Sequence, residues 1–147
     1  MRTIQTLLVS VLLIFAFQSS SYAQSTNVSE VLKKHFNETV QQVQKTENAD
    51  DKRAVLHESF QKMIHALDRI ESSASLTADE RAGVESYKLG LNEKLSELNG
   101  EDGFDEIIDE DLDDFSQYSQ DFIEQANRTI TIGATTAVLI LIILLLL

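Results

Sequence analysis

The side chains in this sequence best equipped to bind something are carboxylates. The stretch EDGFDEIIDEDLDDF, residues 101–115, carries nine acidic residues between Glu101 and Asp114 and no basic one. Clustered Asp and Glu offer the hard oxygen ligands that Ca²⁺ gathers about six to eight at a time. Asp105, Asp109, Asp111 and Asp113 are the candidates for weak cation binding of this kind. The spacing fails as an EF-hand. A loop begun at Asn99 would end suitably on Glu110, but Phe104 then stands where the sharp turn requires Gly. A solvated acidic linker is the simpler reading.

Other chemistry is sparse. His57 and His65 fall off the apolar stripe of their segment, no His-Glu-x-x-His pair exists, and His35 stands beside Phe36 without a partner motif. All three read as surface histidines rather than metal ligands. There is no Cys and no Ser in a Gly-x-Ser-x-Gly turn, so no nucleophile constellation is visible. We expect neither catalysis nor a cofactor. Three Asn-x-Ser/Thr triplets, at Asn27, Asn37 and Asn127, have meaning only in a eukaryotic secretory pathway and are read as coincidence.

The elements that would carry these residues are helices. The chain has no Pro and few Gly or aromatic residues, which suits long helices and argues against a turn-rich β fold. Asn27, with Glu30 three residues on, is placed to cap a first helix through Val28, Val31, Leu32, Phe36, Val40 and Val43. Lys45 to Lys52 reads as a loop. Leu56, Phe60, Met63, Leu67, Ile70 and Ala74 alternate by four and three residues, the spacing of a short coiled coil or of an antiparallel bundle. Ser72 to Leu76 breaks that helix. Thr77 and Glu80 form a capping box for a third, carrying Val84, Tyr87, Leu91, Leu95 and Leu98 and closed by Asn99-Gly100. Asp109 is expected to cap a fourth, through Leu112, Phe115, Phe122 and Ala126, that serves as a stiff stalk.

Two apolar segments frame these helices. MRTIQTLLVSVLLIFAFQSSSYAQS has one cation, Arg2, an apolar centre from Leu7 to Phe17, and small residues before Gln24. Those are the parts of a secretory signal peptide, cleaved between Ala23 and Gln24. Its centre reaches only about 16 Å as a helix, too short to span a bilayer. Thr129 to Leu147, TITIGATTAVLILIILLLL, is the opposite case. Nineteen residues give roughly 28 Å, close to the hydrocarbon thickness of about 30 Å. Gly133 and Ala137, four apart, let two such helices approach closely.

Charge narrows the partners. The chain has net charge −12. From Ser25 to Gly100 thirteen acidic residues face ten basic ones, and from Glu101 to Arg128 eleven face a single Arg. Such a surface repels nucleic acid and anionic headgroups, and suits cations or a basic protein.

The expected fold is all-α, a small antiparallel helical hairpin or three- to four-helix bundle followed by a C-terminal transmembrane helix. Its parts are a signal peptide over 1–23, an exported helical domain over 24–100, an acidic connector and stalk over 101–128, and a span over 129–147. The expected function is a non-enzymatic interaction or scaffold module. It is held by one span in the cell membrane, with its bulk on the periplasmic or extracellular side. Self-association would use the tail or the heptad face. A small oligomeric pore is the alternative, with Thr131, Thr135 and Thr136 as its few polar lining residues. The precursor of a GPI-linked surface protein is another, but Gln120 and Asp121 after Ser119 are poor attachment-site neighbours.

Overall fold

The structure, a computed structural model, describes residues 28–73 and 76–126 together with Ile142, Ile143 and Leu146. Among them are four helices and no strand: α1 Val28–Lys45, α2 Ala49–Ser73, α3 Ala78–Asn99 and α4 Leu112–Ala126. A 3₁₀ turn, Asp109–Asp111, precedes α4. The all-α bundle expected from the periodicity is present.

The helices run up and down in alternation, as side-chain pairs show. Lys33 meets Glu124 at 2.8 Å and Asn37 meets Gln120 at 2.8 Å, so α1 and α4 are antiparallel. Thr39 meets Ser59 across α1 and α2. Lys88 meets Asp68, and Asn99 lies beside His57, across α2 and α3. Lys94 meets Tyr118 across α3 and α4. The most extensive packing is α1 on α4 and α2 on α3. Ser116 and Ser119 on α4 are both fully buried.

The predicted stripes are the core. Leu32, Phe36, Val43, Leu56, Phe60, Met63, Leu67, Val84, Leu91, Leu98, Leu112 and Ile123 have no exposed surface, and each large side chain so buried contributes about 1.5–3 kcal/mol. Phe36, Phe60 and Phe115 run through the centre as a chain of ring contacts, with centroids 5.2 and 6.3 Å apart. Of the coiled-coil-like stripe, Leu56, Phe60, Met63, Leu67 and Ile70 are buried in this core, and Ala74 lies outside the described residues.

Helix ends follow local rules. Thr77 Oγ1 accepts from the Glu80 amide at 3.3 Å, and Glu80 Oε2 accepts from the Thr77 amide at 2.9 Å, completing the expected capping box. Gly100 takes the left-handed conformation at φ 69° and donates its amide to Ser96 O.

Three expectations are corrected. The loop predicted over Lys45 to Lys52 is only 46–48, because Asn48 caps α2: the Asp51 amide donates to Asn48 Oδ1 at 3.1 Å. Asp50 and Asp51 are a helix's acidic first turn, where they oppose its positive end, rather than loop residues. Asp109 does not cap α4. Ile108 precedes the 3₁₀ turn without a side-chain cap, and Asp109 Oδ1 is taken by Arg53. Thirdly, the expected stalk packs along α1 as the fourth bundle helix, burying Leu112, Phe115 and Ile123.

The predicted signal peptide, with its Ala23–Gln24 junction, lies outside the described residues. So do Gly133, Ala137 and most of the predicted span. Among the described residues no helix is long and apolar enough to cross a membrane. Ile142, Ile143 and Leu146 are helical, and Ile143 lies against the core cluster of the bundle.

Candidate functional site

The acidic connector is an ordered cap over one end of the bundle. It turns on three consecutive devices: Gly100 at φ 69°, Asp102 at φ 54° and Gly103 at φ 91°. Asp102 tolerates the left-handed region because its carboxylate is fixed, accepting from Ser96 Oγ at 2.7 Å. A Cβ added to Gly100 would lie 2.9 Å from the Glu106 backbone nitrogen, so only Gly lets the connector fold back so closely.

Arg53, on the first turns of α2, holds the connector down. Its Nη1 donates to Leu98 O at 2.6 Å and pairs with Glu106 at 3.1 Å. Its Nη2 donates to Ile107 O at 2.6 Å and to Asp109 Oδ1 at 3.2 Å. A planar fork with several fixed donors suits this multiple contact, as a Lys would not. Next to it, Lys52 pairs with Asp113 Oδ2 at 2.5 Å.

This arrangement decides what the four cation candidates do. Asp109 and Asp113 are ion-paired to Arg53 and Lys52. Asp105 and Asp111 are exposed on the connector. Among the described residues no three His, Asp or Glu side chains stand together so as to hold a metal ion. Phe104 and Ile108 are 39% and 58% exposed, whereas Ile107 packs against the core.

A second polar cluster lies between α1 and α2, in a cleft of about 280 Å³ lined by His35, Thr39, Glu58, Ser59 and Lys62, among others. Thr39 and Ser59 are buried and share a 2.7 Å hydroxyl–hydroxyl bond. Burial holds His35 below its ordinary pKa, with Glu38 raising it and Lys62 lowering it further. Among the described residues its buried Nε2 has no hydrogen-bond partner. Sequence reasoning took His35 for a surface residue. Its place next to the core residue Phe36 was the available signal.

The other histidines divide. His65 is exposed, as expected. His57 is half-buried, with Nδ1 3.4 Å from the Asn99 side chain. The Asn37 triplet is used structurally: its Oδ1 accepts from Gln120 at 2.8 Å, and Thr39 is buried.

Sequence reasoning also missed Lys94, whose residue surface is only 4% exposed. Its Nζ donates to Glu97 Oε1 at 2.5 Å and to Tyr118 Oη at 3.1 Å, and it lies 4.4 Å from the Tyr118 ring centroid. Burial alone would lower its pKa, but Glu97 and Tyr118 together outweigh that and the net shift is upward. The cation therefore stays charged in a largely apolar setting between α3 and α4. Its contact with Tyr118 ties α3 to α4.

Comparison with family models, with curated proteins and with solved structures found no match.

Proposed function

We propose that this protein is a non-enzymatic interaction module, exported across the cytoplasmic membrane and held on its outer face by the C-terminal apolar segment. One observation carries the reading. The last bundle helix is described as far as Ala126, and a nineteen-residue run with no charge begins three residues further on, at Thr129. Such a run is better placed among acyl chains than in water. The signal-peptide pattern ahead of Gln24 supplies the route and the orientation. The ion-paired connector and the self-satisfied Thr39–Ser59 pair favour a surface for recognition over a reacting centre.

The test is extraction of the full-length chain from membranes. It should stay in the pellet through alkaline carbonate and be digested by protease added to the extracytoplasmic face. A version ending at Arg128 should be released. Loss of the full-length chain into the carbonate wash overturns the reading. A second reading, a tail stowed against the bundle, is favoured by the contact of Ile143 with the core cluster, and the same wash separates the two. Dye-loaded vesicles carrying the protein should remain intact. Leakage would favour a pore.

A further inference from the structure

The helix directions segregate the charge of the molecule along its axis. Because α4 runs back antiparallel to α1, its end at Ala126 lies at the same end of the bundle as the start of α1, the end of α2 and the start of α3. That half comprises residues 28–36, 62–91 and 121–126 and holds eight acidic and six basic residues, a net of −2. The other half, residues 37–61 and 92–120, holds sixteen acidic and four basic residues, a net of −12. The connector, though next to the C-terminal segment in sequence, is thus carried away from it by the length of α4. Fifteen helical residues amount to about 22 Å.

We propose that the near-neutral end of the bundle is the surface that faces the bilayer, with the acidic end turned outward into solution. The proposal rests on the anchoring reading above. Only Asn127 and Arg128 separate Ala126 from the first residue of the apolar segment, a reach of about 10 Å. The tail end of the bundle is therefore tethered close to the headgroups. At about 22 Å the acidic end stands more than two Debye lengths away at physiological salt, where that length is about 8 Å. Its repulsion from anionic lipid is then largely screened. The inverted pose would press a net of −12 against the same headgroups. The charge distribution and the tether select one orientation, and the acidic end meets what arrives from solution.

The chain has no Cys, so single labels can be placed cleanly. Full-length protein carrying a fluorophore on Ala82→Cys, at the tail end, or on Asp105→Cys, on the connector, is put into nanodiscs containing headgroup-nitroxide lipid. Both positions are exposed. Quenching should be several-fold stronger at position 82 than at 105, in neutral and in anionic discs. Equal or reversed quenching overturns the proposal. In the triple variant Glu101→Lys, Asp105→Lys, Glu110→Lys, labelled at Asp111→Cys, quenching should rise in anionic discs and fall back with salt. No change there would show that charge does not set the pose, and would overturn it too. Failure to enter nanodiscs at all removes the anchoring reading itself, a result distinct from incorporation with the wrong ratio.

Discussion

Three single residues have consequences that can be measured. His35 is buried at Nε2 beside Lys62 and Glu58 of α2, with Glu38 on its own helix. Its folded pKa lies below the unfolded value of about 6.5, so the unfolded state takes up the proton first. The stability that neutral His35 provides is complete above that unfolded value and declines as pH falls below it. Melting temperature should be lower at about pH 5 than at about pH 8, and His35→Gln should narrow the gap. Lys94 tests a different balance. Lys94→Ala leaves Glu97 unpaired and a void against Tyr118, and should cost roughly 2–4 kcal/mol in denaturant titrations. Lys94→Met, which keeps the stem, should cost less. Gly100→Ala places a Cβ at φ 69° and 2.9 Å from the Glu106 nitrogen, for a loss of about 1–3 kcal/mol. These residues also show where sequence reading stops. The Thr77–Glu80 box and Gly100 were legible because they signal through neighbours in the chain. His35, Arg53 and Lys94 were not, because Lys62, Asp109 and Tyr118, which act on them, come from other elements, for Arg53 from as far as 56 positions away.

Among the elements, the connector depends on one cation. Arg53→Ala removes four contacts to Leu98, Glu106, Ile107 and Asp109. It should make residues 101–111 cleavable by protease and cost about 1–3 kcal/mol overall. Arg53→Lys should restore little of this, since an ammonium cannot reach both sides of the fork. The helices themselves were readable from periodicity, since the stripes of α1, α2 and α3 became the core. Their polar margins were not. Asp50 and Asp51 resemble a loop until the Asn48 cap and the helix dipole are seen to hold them. The role of α4 was hidden for a related reason: adjacency in sequence suggested a stalk, and only packing on α1 reveals a return.

At the scale of the whole molecule, the concentration of charge at one end is itself destabilising. Like charges held together repel more in the folded state than in an extended chain. Added salt should raise the melting temperature of the bundle. Asp105→Asn, Glu110→Gln and Asp111→Asn combined should gain on the order of 1 kcal/mol at low salt and less at high salt. A melting temperature indifferent to both would mean that the connector carboxylates are already well solvated.

The pairing of the first helix with the last also sets a timetable. Asn37 and Gln120 are 83 residues apart, so a chain emerging from its N-terminus presents half a seam long before the other half exists. At a synthesis rate of about 5–20 residues per second, that wait is on the order of ten seconds. During it, the side of α1 destined for α4 has no native cover. A nascent chain halted before α4 would be sticky rather than merely incomplete, and its escape from aggregation would depend on whatever receives it at the exit.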